Sequence, residues 1–402
     1  MSARAACVLL HRWLGLATAG FLIVVGLTGS LLAFFPELNH ALAPRLYPGP
    51  HPGIVLDAAT LARRAEALVP FAEATTVYLG NIGTAQIGMR ARAGAPALDF
   101  SILYLDVVTG EELGRLQWGA LPATLDGIVP FVYNLHYRLA AGEVGEWILG
   151  VVALAWTLDC FVAFCLTLPT SGRRSAKSLL ARWKPAWLVK FGSSAYRVNF
   201  DLHRANGLWL WVLLLIFAWS SVYWNLEGVY STVTGFFLDY ERSATFSSQP
   251  SRVDAGREPL RWEEAQSIAR RLMDEQSRER GFSVERPLAL YIDKDSGLVE
   301  YRVRSSRDIG DKGGATSIHF DAYSGALRSV RVPTGQHAGN TLTTWLAALH
   351  MANLFGLPYK IAVCGLGLAI AMLSVTGVYI WWMKQRARVA GAKRRTAGSV
   401  DA

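Results

Sequence analysis

The sequence is short of charge. Only 18% of its 402 residues are Asp, Glu, Lys or Arg, against roughly 25% in an ordinary soluble domain. Cysteine is scarce too: Cys7, Cys160, Cys165 and Cys364 are the whole set, in or beside apolar runs, which excludes a disulfide scaffold. No Gly-x-Gly-x-x-Gly follows a soluble strand, so no dinucleotide site is built in; Cys364-Gly365-Leu366-Gly367-Leu368 lies inside an apolar run. What is plentiful is hydrophobicity, 52% of residues with a mean hydropathy of +0.25, and this excludes a disordered or collagen-like chain.

The apolar residues collect in four runs, 13–35, 147–168 (interrupted by Asp159), 207–226 and 361–383. Each reaches the ~20 residues that an α-helix needs to cross a hydrocarbon layer. Trp13, Trp147, Trp209, Trp224, Trp381 and Trp382 stand near the ends, where indoles favour the headgroup region. The surplus of nine positive charges sits beside the runs: Arg4 and Arg12; Arg173, Arg174, Lys177, Arg182, Lys184, Lys190 and Arg197; Lys384, Arg386, Arg388, Lys393, Arg394 and Arg395. By the positive-inside rule these flanks, and both termini, are expected in the cytoplasm, with the two large loops outside. A pI near 9.5 is then a topology signal with an affinity for anionic lipid, not a nucleic-acid footprint. The first run is too long for a signal peptide, although Ala41-Leu42-Ala43 faintly resembles a cleavage site, so an uncleaved anchor is expected.

The chain repeats itself. His11-Arg12-Trp13-Leu14-Gly15-Leu16 returns as His203-Arg204-Ala205-Asn206-Gly207-Leu208, Leu135-His136 as Leu349-His350, and Asp106-Val107-Val108-Thr109-Gly110 as Asp321-Ala322-Tyr323-Ser324-Gly325. Three matches in one order indicate a duplication, each half reading span, external module, span, related by a pseudo-twofold axis along the membrane normal. The predicted fold class is an α-helical integral membrane protein of four transmembrane helices with two external α+β modules. Its expected divisions are 1–36 (cytoplasmic terminus and first span), 37–124 (module 1), 125–169 (interfacial helix and second span), 170–202 (basic cytoplasmic loop), 203–226 (third span), 227–340 (module 2), 341–383 (interfacial helix and fourth span) and 384–402 (basic tail). Within the modules, amphipathic spacing predicts helices at 58–68 and 262–272 and strands at 101–107 and 288–292. The Asp-x-x-Thr/Ser-Gly motifs read as turns, and 242–256 as a polar loop.

Four of the eight histidines, His11, His136, His203 and His350, stand before or at the start of the four spans. An imidazole at a membrane edge is costly without a partner and is a functional candidate by default. The topology places His11 and His203 at the cytoplasmic face and His136 and His350 at the outer face, where the pseudo-twofold sets each pair across the axis. Facing imidazoles are the axial ligands of a b-type haem, and two pairs make two haems. Zinc or copper fits less well, because each face offers two His and no matching Cys or acid. No Cys-x-x-Cys-His provides for c-type attachment. Helix-breaking stretches at 141–143 and 356–358 put His136 and His350 on short interfacial helices, expected at 128–139 and 342–354. Arg12, Arg204 and Arg138 read either as partners of a haem propionate or as interfacial charges. Gly20, Gly26, Gly29, Gly365, Gly367 and Gly377 read as sites of close helix packing or of approach to a flat cofactor. Asp159 reads as a relay or as a polar residue bonded to a neighbour, and His40, His51, His319 and His337 as loop or surface residues.

The opening His11-Arg12-Trp13-Leu14-Gly15-Leu16 with Gly26-Leu27-Thr28-Gly29-Ser30, the His203-Arg204 repeat, and Ser374-Val375-Thr376-Gly377 resemble the PepSY-associated transmembrane helix family over nearly the whole chain. The resemblance implies PepSY-type modules in the periplasm and a place in the bacterial inner membrane. The similar members are di-haem siderophore reductases, so it further implies haem ligation by His11, His136, His203 and His350, and one-electron reduction of a ferric siderophore or other Fe(III) complex. The donor would be quinol or a separate cytoplasmic reductase. Where the first span has Gly26-Leu27-Thr28-Gly29, the third has Ala218-Trp219-Ser220-Ser221, so the halves are not expected to pack identically. Two other readings stand beside this one. The first is a PepSY-bearing transporter or assembly protein without redox activity; the second is a di-haem electron-transfer subunit with a protein acceptor.

Overall fold

A computed structural model describes residues 2–80, 83–170, 178–242, 258–311 and 313–398, with side chains as far as 390. Arg173, Arg174, Lys177, nearly all of the polar loop expected at 242–256, and the side chains of Lys393, Arg394 and Arg395 lie outside the described residues. The chain begins with α1 (Ala3–Leu32), α2 (Phe35–Leu42) and α3 (Ala58–Leu68), then β1 (Ala72–Tyr78), β2 (Thr84–Ala91), β3 (Ile102–Asp106) and β4 (Glu112–Leu116). There follow α4 (Ile128–Arg138), α5 (Gly142–Thr167), α6 (Leu179–Trp183), α7 (Ala195–Trp209), α8 (Trp211–Asn225) and α9 (Glu227–Phe237). The last elements are α10 (Trp262–Arg280), β5 (Val284–Asp293), β6 (Leu298–Ser305), β7 (Thr316–Asp321), β8 (Leu327–Arg331), α11 (Ala338–His350) and α12 (Gly356–Gly398). They form two compact units: Met1–Ala33, Leu135–Tyr230 and Lys360–Ala402 in one, Phe34–Asn134 and Ser231–Tyr359 in the other.

The first unit is helical. Three of its helices are long and apolar enough to cross a membrane: α1, α5 and the Gly356–Ala390 part of α12. The outward face of α5 carries Val144, Trp147, Ile148, Val151, Leu158 and Phe161, all exposed, so this helix shows solvent the apolar stripe that a soluble protein buries. Its neighbours run antiparallel to it. Arg4 on α1 donates to the carbonyls of Leu166 (2.8 Å) and Leu168 (3.1 Å) at the end of α5, and Trp211 on α8 donates to Cys160 O (2.8 Å). α1 and α12 meet through glycine: a Cβ on Gly26 would lie 2.6 Å from the Gly367 carbonyl oxygen, and Ser30 Oγ donates to Cys364 O (2.9 Å).

The run expected as a third span is interrupted. α7 and α8 together pass as one span but bend by 68° at a break around Leu210. On the N-terminal side of the break, α7 carries Arg197, Asp201 and Arg204, charges that need partners. Asp201, 2% exposed, is clasped by Arg197 (3.1 Å) and Arg204 (2.9 Å), while Trp209 donates to Trp187 O (3.2 Å). α7 is thereby tied to the 3₁₀ turn Lys184–Trp187, and only the fifteen residues of α8, about 22 Å at 1.5 Å per residue, continue as an apolar helix. The segment 170–202 is therefore not all loop, since it holds α6 and the start of α7.

The second unit replaces two separate modules with a single sheet. Its strands run β4-β3-β2-β1-β5-β6-β7-β8, antiparallel throughout. The halves join through β1 and β5, where Thr76 pairs with Tyr291, Val77 with Leu290 and Tyr78 with Ala289. The Val77–Leu290 pair is the centre of a local dyad: Tyr78 and Tyr291 occupy equivalent places, each opposite a residue of the second strand of its own half, Gln86 and Glu300. A four-stranded half ending at β1 would leave a row of unpaired backbone donors and acceptors, and its duplicate satisfies them. α3 and α10 cover one face, with Leu61, Ala62 and Ala65 packed in a common core with Ala265, Ala269, Met273, Ile87, Leu290 and Ile318. α3 has the predicted bounds, whereas α10 runs eight residues further and ends on Gly281 in the left-handed region.

The repeated Asp motifs are turns. Asp106 Oδ1 accepts from the N–H groups of Val108 and Thr109 (both 2.8 Å), and Asp321 Oδ1 from those of Tyr323 (3.0 Å) and Ser324 (2.8 Å). Burial would raise the Asp106 carboxyl, but those amides and His51 (3.1 Å) outweigh it and hold its pKa below the ordinary value. Stability from a carboxylate depressed in this way is complete above the unfolded value of ~3.9 and is lost as pH falls through the lower folded value. Asp106→Asn should flatten that acid limb, which tryptophan-fluorescence melts between neutral pH and the aspartate range would register. In the helical unit, Gly26→Ala should cost about 1–3 kcal/mol by overpacking and lower the melting temperature in detergent. Gly20→Ala, with nothing within 4 Å of the added methyl, should leave it near wild type.

Candidate functional site

Two of the span-start histidines meet. The rings of His11 on α1 and His203 on α7 have centroids 6.1 Å apart and planes tilted by 54°. Each ring is held by one nitrogen. His11 Nδ1 lies 2.9 Å from Asp159 Oδ1 and 3.0 Å from Oδ2 on α5. A carboxylate only accepts, so Nδ1 carries the proton. His203 Nδ1 lies 3.0 Å from Thr376 Oγ1 on α12, and that hydroxyl donates to Met372 O (2.8 Å) within its own helix. With its proton spent there, Thr376 accepts from Nδ1–H. With Nδ1 committed on both rings, Nε2 is the nitrogen that could bind a metal.

His136, on α4, is seated in the same way by another helix. Its Nδ1 lies 3.0 Å from Thr28 Oγ1 on α1, whose proton goes to Val24 O (2.7 Å). The residue after each threonine is a glycine, and the added Cβ would meet an imidazole: 3.0 Å from His136 Cε1 at Gly29, 3.1 Å from His203 Cε1 at Gly377. Thr28-Gly29 and Thr376-Gly377 are thus two copies of one device, a hydroxyl that grips a ring and a missing side chain that gives it room. The six glycines sort accordingly. Gly26 and Gly367 serve helix packing, Gly29 and Gly377 seat histidines, and Gly20 and Gly365 border open space. His350 is the last residue of α11 and is half-buried. His136 belongs to the helical unit and His350 to the sheet-bearing one. The helix-breaking stretches after both are tight turns, with positive φ at Leu139, Ala140 and Gly142 and again at Ala352, Phe355 and Gly356.

The arginines differ from one another. Arg204 is occupied by Asp201 and by the carbonyls of Pro185 (2.7 Å) and Ala186 (3.2 Å). Arg138 pairs with Glu146 and stacks on Tyr137 at 4.4 Å, and Arg12 stacks on Trp13 at 5.1 Å. Arg12 and Arg138 each keep a buried Nε with no hydrogen-bond partner among the described residues, a costly state that an oxyanion would relieve. Outside the helical unit, His51 serves the Asp106 turn, His40 bonds Tyr47 O (2.9 Å), His319 faces Ser329 (3.1 Å), and His337 pairs with Asp239 (2.7 Å).

The His11–His203 spacing is one that a haem could use. Two metal–imidazole bonds of about 2 Å each, plus ~1.1 Å from nitrogen to ring centre at both ends, would sum to ~6.2 Å, against the observed 6.1 Å. Among the described residues no three of His, Cys, Asp and Glu converge on one point, and two imidazoles are the protein ligands that a b-type haem would take. The sequence flagged the histidines but not the roles of Thr28 and Thr376. The available signal was the Thr-Gly dipeptide recurring in the first and last spans.

A family model described as PepSY-associated TM region matches residues 8–384. No curated protein matches the chain. The seating hydroxyl is testable without any ligand. Thr376→Val keeps the shape but removes the hydroxyl at His203 Nδ1, and should cost about 1 kcal/mol in the stability of the purified protein, whereas Thr376→Ser should recover most of it.

Proposed function

The chain belongs to the PepSY-associated TM family of membrane proteins, and from that premise we propose that it is a di-haem b-type membrane cytochrome that reduces a ferric siderophore or other Fe(III) complex. Four spans in the bacterial inner membrane, with α7 and α8 as the third, cytoplasmic termini and a periplasmic sheet-bearing unit, complete the reading. The observation that carries it is the 6.1 Å His11–His203 pair with both Nδ1 atoms already committed. His136, seated by Thr28, is the candidate ligand of a second haem. His11 and Thr28, the seat of His136, are seventeen residues apart on α1, about 25 Å along the axis, and that separation supports two distinct levels of ligation.

Bound haem supplies reversible one-electron chemistry at its iron. The protein's share is binding, orientation and exclusion of water. Asp159, Thr376 and Thr28 hold Nδ1 protons and so aim each Nε2; the apolar helices keep the imidazoles in a low-dielectric setting; Arg12 and Arg138 offer unsatisfied donors to carboxylates. Reduction of the substrate weakens its hold on iron, because hard oxygen ligands bind Fe(II) less tightly than Fe(III). The electron donor is quinol or a separate cytoplasmic reductase.

A pyridine haemochrome assay on detergent-purified protein should give two b haems per chain. His11→Ala and His203→Ala should each remove one, and His136→Ala the other. A ferric siderophore should reoxidise the dithionite-reduced protein. A colourless preparation from haem-replete cells would sink the proposal in favour of a non-redox PepSY protein. A loaded protein that no ferric complex reoxidises would point instead to a protein acceptor.

A further inference from the structure

We infer that Asp159 is a positioning and tuning residue that lowers the reduction potential of the group held between His11 and His203; the inference rests on the haem reading above. Three imidazoles of the helical unit have a defined Nδ1 partner. Two rest on hydroxyls, His136 on Thr28 and His203 on Thr376, whose protons are already shared with their own helix carbonyls. His11 rests on a carboxylate that takes its proton with both oxygens, at 2.9 and 3.0 Å.

The two kinds of seat differ in charge. A hydroxyl accepts as a neutral dipole and leaves the ring an ordinary imidazole. A carboxylate draws the Nδ1 proton towards itself and raises the donor strength of the opposite nitrogen. It also adds a full negative charge, which the apolar surroundings screen poorly. Both effects favour ferric over ferrous iron at Nε2, so both lower the potential. Asp159 is well placed for this. Its side chain is 13% exposed, it lies within a long apolar helix where an acid is expensive, and among the described residues it bonds no Lys or Arg, only His11. Charge neutralisation does not explain its presence, and the His11 contact does.

The test combines haem quantitation with a spectroelectrochemical titration of the purified protein. In Asp159→Asn, at full haem content, one midpoint should rise by about a tenfold change in the ferric-to-ferrous ratio, ~59 mV for one electron, while the other midpoint stays still. Asp159→Thr should do the same by copying the seat of His203, and Thr376→Asp should move that same midpoint down. Unmoved midpoints in fully loaded Asp159→Asn and Asp159→Thr would overturn the inference. Wild-type protein without haem would instead overturn the reading beneath it, so the two failures are distinct. Should the Asp159 variants fail to load, Thr376→Asp decides alone: a lower midpoint sustains the inference and an unchanged one overturns it.

Discussion

The helical unit depends on one recurrent hydrogen bond, from imidazole Nδ1–H to an acceptor on a neighbouring helix. A free imidazole exchanges tautomers and spins about χ2, whereas a ring with one nitrogen committed presents the other in a known place and protonation state. Asp159, Thr376 and Thr28 each impose this on a histidine from a different helix. Their positions in turn require close and fixed helix packing. The Gly26–Gly367 approach supplies it between α1 and α12, the two helices that carry the Thr-Gly seats. The arginine contacts at the ends, Arg4 on the last carbonyls of α5 and Arg204 on the turn before α7, fix how far each helix slides along its neighbour.

Much of this was legible in the sequence because it is local. Periodicity located α3 to the residue, the apolar runs located α1, α5 and α12, and the duplicated Asp-x-x-Thr/Ser-Gly motif foretold turns that the backbone amides of Val108, Thr109, Tyr323 and Ser324 confirm. Composition could not show the break near Leu210. The apolar run passes through that residue without interruption, and only the anchoring of α7 to residues 184–188 by Arg204 and Trp209 turns it aside. Fusion of two modules into one sheet was equally hidden, because β1 and β5 are more than 200 residues apart and backbone pairing leaves no side-chain signature. The histidines stood out by position, whereas the residues that hold them did not. A threonine after an apolar stretch looks like any helical threonine until His203, 173 residues away in sequence, arrives at its hydroxyl.

The dyad at Val77 and Leu290 carries an implication for origin. A half-length chain would expose β1 as a free edge, and two such chains could pair those edges about the same axis to build an identical eight-stranded sheet. The ancestor is then most simply a homodimer, in which every position exists twice and must serve both sides. A gene fusion lifts that obligation: once the halves share one polypeptide, a carboxylate can stand beside one imidazole and a hydroxyl beside its counterpart. The inequality of Asp159 and Thr376 is something no symmetric pair of identical subunits could have encoded.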